Sequence, residues 1–164
     1  MSERVVHPAD TRCEMTWLVL PTHTNNVGGV FGGQVMAWID VCAAVSAQRF
    51  ARKIVVTAAM DNLSFKASAK DGEVMVLQSQ VNWAGRTSME VGVRVESENP
   101  LTGERKHTSS AYLTFVALGE DGRPTPVPAL VPVSANEKRR HLDAAIRRER
   151  RLAARAEDQE RNRR

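Results

Sequence analysis

The spacing of apolar and polar positions changes period along the chain, and each change marks an element. Thr11 to Leu20 is rich in strand-forming side chains and stops at Pro21, which reads as a β-strand. A polar, glycine-rich stretch runs from Thr22 to Gly33. Gln34 to Arg52 then predicts a helix roughly 28 Å long. Val35, Ile39, Cys42, Val45 and Phe50 form its apolar positions, and Ala37, Ala43, Ala44, Ala47 and Ala51 fill the other sides. A helix apolar on nearly every side is expected to be buried. After it the period falls to two. Ile54 to Phe65, Glu73 to Trp83, Thr87 to Glu98 and Arg105 to Leu118 read as strands, with turns at Asp71-Gly72, Gly85-Arg86 and Asn99-Pro100. In the third of these Met89, Val91, Val93 and Val95 alternate with Ser88, Glu90, Gly92, Arg94 and Glu96, the pattern of an antiparallel strand with one wet face. The order β-α-β-β-β-β describes an α+β fold: one apolar helix and enough antiparallel sheet to wrap it.

Beyond Gly119 a connector carrying Pro124, Pro126, Pro128 and Pro132 leads to Ser134. Ser134 followed by Glu137 has the form of a capping box, so a second helix is expected from there, fraying towards Arg164. Its stripe of Leu142, Ile146, Ala153 and Ala156 is thin, which predicts docking on the body or on a neighbouring subunit. The expected organisation is a domain over 1–120, a Pro-rich connector over 121–133 and a basic C-terminal helix over 134–164.

Composition alters this picture in one respect. The 164 residues carry a net charge of +4, but residues 135–164 hold 11 of the 23 Lys and Arg against 6 of the 19 Asp and Glu. The remaining body is therefore nearly neutral, which argues against a basic nucleic-acid-binding surface while leaving a basic arm open. No apolar run is long enough for a membrane span. The first eight residues show no apolar leader, and two cysteines, Cys13 and Cys42, make neither a disulfide framework nor a zinc site. A cytoplasmic, reducing location is expected.

Several chemistries are excluded by pattern. No Gly-x-Ser-x-Gly elbow is present, and Gly28 to Gly33 lacks the Lys-Ser/Thr ending of a nucleotide-phosphate loop. His7, His23, His107 and His141 show no metal-ligand spacing, and no metal or cofactor is expected. Attention falls on the junction between the glycine-rich loop and the helix. Gly32 and Gly33 would let a ligand carbonyl approach free N–H groups at the positive end of the helix dipole. They equally fit a tight turn. Asp40, about two turns on, is a carboxylate on an apolar scaffold, either satisfied in the core or held for chemistry. Asn25 and Asn26 fit turn positions as well as a polar site.

Leu20 to Asp40, Val55 to Asp61, Gly85 to Glu90 and Ala111 to Ala117 together resemble the hotdog-fold acyl-CoA thioesterases, in the branch of the cytosolic acyl-CoA hydrolases. The resemblance covers about Met15 to Leu118. It implies a hotdog fold, with the long helix wrapped by an antiparallel β-sheet, and hydrolysis of acyl-CoA to fatty acid and CoA. Carried onto this sequence, it makes Asn25 and Asp40 the catalytic pair, meeting from opposite subunits of a homodimer, with a trimer of dimers as the common assembly. It places Gly32 and Gly33 at the thioester carbonyl. Thr57, Ala58, Ala59 and Met60 fall along the CoA arm, and Gly85, Arg86, Thr87, Ser88 and Met89 at its nucleotide end. Arg148, or its neighbours Arg147 and Arg151, would reach a CoA phosphate. Asp40 acting as general base and Asn25 as carbonyl polariser suits the residue types, with direct attack by Asp40 the alternative. CoA enters as substrate and product, not as a resident cofactor. Two other readings remain at this stage: a hotdog hydratase or dehydratase using His23, and a non-enzymatic acyl-CoA-sensing module.

Overall fold

The computed structural model describes residues 4–61 and 63–163. Asn62, within the β-rich run expected to Phe65, and Arg164, at the expected frayed end, lie outside the described residues, as do residues 1–3. The elements are β1 (Val5–Val6), β2 (Cys13–Leu18), α1 (Gly32–Ala51), β3 (Ile54–Asp61), β4 (Val74–Ala84), β5 (Ser88–Glu98), β6 (Arg105–Leu118), β7 (Ala129–Leu130) and α2 (Ala135–Arg161). Five strands form one antiparallel sheet in the order β2-β4-β5-β6-β3, curled round α1. This is the hotdog arrangement the sequence implied. The two-residue strands β1 and β7, which sequence periodicity was too short to register, pair in parallel and tie the N-terminus to the connector.

The core forms where the period-two faces of β4, β5 and β6 meet α1. Val35, Ile39, Cys42, Ala43, Ala47 and Phe50 of α1 are fully buried against Met75, Leu77, Val81, Met89, Val91, Leu113 and Phe115. Within that core Ser79 Oγ donates to the Cys42 carbonyl at 2.9 Å and pairs with Ser46 Oγ at 2.7 Å, so the hydroxyls are not stranded. Burial pushes the Cys42 thiol up to about 12. The helix ends at Ala51, and Arg52 caps it in a left-handed conformation, φ 53°, with its N–H on the Gln48 carbonyl at 2.8 Å.

Three expectations need correction. First, α1 is not buried all round: within one chain Met36 and Val41 stay exposed and Asp40 half-buried. Second, the outer face of β5 is not uniformly wet. Glu90 is only 2% exposed, and the Arg147 guanidinium of α2 forks onto its carboxylate. The docking stripe of α2 is also different from the one expected. Leu142 and Ile146 remain exposed, while Ala144 is buried and Arg147, Arg148 and Arg151 turn inward. The helix is fastened by arginine stems and ion pairs, which a search for apolar residues overlooks. It also runs regularly to Arg161.

Three bulges interrupt the pairing. The register steps from Thr57 to Ala59, from Val81 to Trp83, and opposite Val95 and Glu96 from Ser109 to His107. Ala58, Asn82 and Thr108 are the extra residues, and bulges of this kind re-aim side chains.

Candidate active site

The loop before α1 is built around Asn25. Its N–H donates to the Gly29 carbonyl at 2.7 Å, and its carbonyl accepts from Gly28 N–H at 3.1 Å. Gly28 turns the chain with φ 82°, a conformation other residues rarely adopt. The Asn25 side-chain Oδ1 accepts from the N–H groups of Val27 at 3.0 Å and Gly29 at 3.2 Å. Two backbone donors thus fix which end of the amide is oxygen and leave Nδ2 as an exposed donor. Phe31 N–H closes the loop onto the His23 carbonyl at 2.7 Å, and α1 starts directly after it.

Gly32 and Gly33 lie in the first turn of α1, where N–H groups precede the helical ladder. Both positions are crowded. A Cβ at Gly33 would stand 2.5 Å from the Phe31 ring, and one at Gly32 would stand 3.3 Å from the ring of Phe65. Neither glycine has a positive φ, and a side chain at either position would press on the outer edge of an exposed, movable phenylalanine ring.

Asp40 sits eight residues into α1 from Gly32, about 12 Å along the axis. Thr57 of β3 donates its hydroxyl to Asp40 Oδ1 at 2.7 Å. Sequence spacing gave no sign of this contact; the family resemblance implied for Thr57 only a place along the CoA arm. The bulge at Ala58 follows immediately, and β3 is the edge strand of the sheet with no partner beyond it among the described residues. Among the described residues no hydrogen bond joins Asn25 to Asp40 in one chain. His23, the residue the hydratase reading requires, has Nδ1 occupied by the Leu20 N–H at 3.1 Å and its ring edge against Trp38.

Of the other residues singled out, Thr57 and Ala58 are exposed on β3, whereas Ala59 and Met60 are partly buried. The β4–β5 turn is closed by Gly85 N–H on the Ser88 carbonyl at 2.8 Å. It is stapled from outside by Val127 N–H on the Arg86 carbonyl and by Ala117 N–H on the Thr87 carbonyl, each 3.0 Å. The Met89 side chain is fully buried in the core, so what this residue offers the turn is its backbone. Trp83 packs under Gly85, where a Cβ would meet the ring at 2.7 Å. The Arg148 guanidinium lies 5.0 Å from the centre of the same ring, which brings it to the turn. Its neighbours are engaged elsewhere. Arg147 forks onto buried Glu90 at 2.8 and 3.1 Å and lies 3.6 Å over the Tyr112 ring, and Arg151 pairs with Asp61. Burial opposes the charge on Arg147, but the hydrogen bonds and charge of Glu90 outweigh it and hold its pKa above the usual value.

Two cavities flank these elements. One of about 610 Å³ lies between α2 and the outer face of the sheet, lined by polar side chains such as Arg12, Asn82 and Arg140, and it touches neither Asn25 nor Asp40. The second, about 310 Å³, is bounded by Asn25, Gly32, Phe65 and Thr108 and is the one beside the candidate chemistry.

Residues 27–104 match the family described as Thioesterase superfamily. The chain is 41% identical over 138 residues to the uncharacterized acyl-CoA thioester hydrolase YkhA of Bacillus subtilis, covering 84% of this chain and 80% of that protein.

The chain belongs to the thioesterase superfamily.

Mouse acyl-coenzyme A thioesterase 11 is 38% identical over 147 residues, and this thioesterase-superfamily chain spans 25% of its length. Among solved structures, an apo-hexameric acyl-CoA thioesterase superposes with a TM-score of 0.90 at 45% identity, over 93% of this chain and 98% of that one. An acyl-CoA hydrolase from Staphylococcus aureus, solved in complex with butyryl coenzyme A, coenzyme A and coenzyme A disulfide, superposes with a TM-score of 0.89 at 34% identity, over 96% of each chain. These likenesses extend over the whole hotdog fold described above.

Proposed function

We propose that this protein hydrolyses acyl-CoA thioesters to a free carboxylic acid and CoA, with Asp40 of one subunit and Asn25 of its partner at each active site. The observation that carries the reading is Asp40 itself. It is a carboxylate on an otherwise apolar helix face, oriented by Thr57 at 2.7 Å and standing beside the open edge of β3. A second copy meeting that edge and the exposed Met36 and Val41 would bury the face and bring another chain's loop to the acid. The hexameric relative and the relative solved with butyryl coenzyme A support an oligomer and an acyl-CoA substrate.

In this scheme water adds through its oxygen to the thioester carbonyl carbon while Asp40 accepts one of its protons. The thioester carbonyl oxygen gains negative charge and is held by Asn25 Nδ2–H and the N–H groups of the first helical turn. Collapse of the tetrahedral species breaks the carbon–sulfur bond, and the departing sulfur takes the proton back from Asp40. The turn at Gly85, Arg86, Thr87 and Ser88, with Arg148, would receive the nucleotide end of CoA, and Thr57 to Met60 the arm.

Thiol release from acyl-CoA tests the scheme. Asp40→Asn and Asn25→Ala should each lower kcat by about 10²- to 10⁴-fold with the oligomer intact. Mixing the two inactive variants with subunit exchange should restore about a quarter of wild-type turnover, since half the dimers are mixed and each mixed dimer carries one intact site. Hydrolysis by Asp40→Asn at the wild-type rate would sink the assignment, and mixtures that stay inactive would sink the shared site.

A further inference from the structure

The cavity of about 610 Å³ between α2 and the outer face of the sheet has no part in the chemistry proposed above. Its size falls within the roughly 300–1,000 Å³ of small-molecule sites. Gln78, Gln80 and the bulge residue Asn82 run along β4 beneath it, and Gly92 of β5 pairs with Gln80. Gly92 leaves the floor open in the middle of a strand, and a Cβ there would stand 2.5 Å from Asn82 Nδ2. A glycine inside a strand weakens it and often marks the close approach of a ligand.

Two amide donors give onto this space. Gln80 is 6% exposed, and its Oε1 accepts from Arg12 Nε at 3.4 Å, which leaves Nε2 without a partner among the described residues. Asn82 is 3% exposed, and its Nδ2 has no partner among them either. Asn82 Oδ1 is sealed from solvent, but these two nitrogens are not, and both side chains line the cavity. A buried donor is costly until something accepts from it.

Charge points the same way. Arg12 and Arg94 border the cavity from the sheet side, and Arg139, Arg140 and Arg147 from α2, against the carboxylates of Glu14 and Asp143. Arg94 is held by Glu96, Arg139 by Asp143 and Arg147 by Glu90, whereas Arg12 and Arg140 form no ion pair among the described residues. Counting Glu90 and Glu96 as well, the cations still outnumber the anions, five to four. Unpaired like charges gathered round a gap repel, and an anion placed between them removes the cost.

We infer that this cavity is a second ligand site, for an organic diphosphate of nucleotide size, and that its occupant holds α2 on the sheet. Guanidinium forks and amide N–H groups are the donors that phosphate oxygens take. Inorganic phosphate fills only part of the volume, and a nucleoside occupies the rest beside Gln78 and Ser110. A free nucleoside diphosphate and the nucleotide end of CoA share this chemistry; the site is assigned to the free nucleotide, because the cavity touches neither Asn25 nor Asp40. The same helix carries Arg148 to the Trp83 ring at 5.0 Å, so a ligand bridging α2 and the sheet tightens the binding of acyl-CoA. Only that last step rests on the proposed hydrolysis.

The test is isothermal titration calorimetry of the assembled protein with ADP, adenosine and CoA, followed by thiol release from butyryl-CoA with and without ADP. ADP should bind once per chain, and adenosine should give no heat at the same concentrations. Arg12→Gln and Arg140→Gln should each weaken ADP at least tenfold while turnover without ADP stays near wild type. Arg150→Gln, on the exposed side of α2, should leave ADP binding within twofold. ADP should lower KM for butyryl-CoA at least threefold with kcat nearly unchanged, an effect lost in Arg148→Gln. No binding of ADP to the wild type overturns the inference, as does binding that Arg12→Gln and Arg140→Gln leave within twofold. Displacement of ADP by CoA one for one, with ADP raising KM, assigns the cavity to a neighbouring subunit's CoA and overturns it too. Absence of thiol release would overturn the proposed hydrolysis instead and leave the calorimetry standing.

Discussion

Arginine 147 offers the sharpest test of how the second helix is held. Its guanidinium forks onto Glu90 at 2.8 and 3.1 Å, and Glu90 is 2% exposed while the Arg147 side chain is 23% exposed. Arg147→Met keeps the stem that covers the sheet and removes only the charge. A nearly buried carboxylate is then left without its cation, which costs about 3–5 kcal/mol. In a chain of this length each kcal/mol moves the midpoint by about 2–4 °C, so Tm should drop by about 6–20 °C. Replacing both partners, Glu90→Leu with Arg147→Met, removes the stranded charge and should recover most of the loss. Thermal unfolding followed by circular dichroism measures this, at one fixed protein concentration because assembly shifts Tm. The single variant should also regain stability on acidification, since a buried carboxyl without its cation is better neutral. Loosening α2 displaces Arg148 from Trp83, so KM for acyl-CoA should rise more than kcat falls. A loss under about 1 kcal/mol in Arg147→Met, or a double variant no better than the single, would refute the view that this pair fastens the helix.

Three further outcomes are expected. Thr57→Val removes the hydroxyl that orients Asp40 and should lower kcat about tenfold with little change in KM, while Thr57→Ser keeps most of the rate. Hydrogen bonds from the Val133 and Ser134 N–H groups hold the Glu137 carboxyl below its ordinary range, so its contribution is present above the unfolded value, about 4.3. That contribution is lost as pH falls through the lower folded value; Glu137→Gln should flatten this part of a pH–stability curve measured by urea unfolding, and an unchanged slope would exclude the role. Cys13 and Cys42 are both buried and Cys42 titrates near 12, so Ellman's reagent at pH 8 should find almost no thiol in the native protein and both cysteines after denaturation.

Much of this protein is determined by local pattern. The switch from helical to two-residue period set the element order, Asp71-Gly72 marked a turn leading into β4 but not the hairpin its form suggests, since β3 and β4 do not pair, and Ser134 with Glu137 marked the start of α2, because turns, caps and amphipathic faces are encoded by neighbours in the chain. The loop of Asn25 and the acid of Asp40 stood out as polar groups in an apolar or glycine-rich setting for the same reason. What tertiary structure decided depends on residues far apart in sequence. Thr57 reaches Asp40 across 17 positions, Arg147 reaches Glu90 across 57, and Arg151 reaches Asp61 across 90. The bulges that displace Ala58, Asn82 and Thr108 arise from mismatch between paired strands, and no single strand's alternation carries that information. The exposed side of α1 belongs to the same class: its apolar residues read as a buried helix, and one chain supplies only part of the cover that such a surface requires.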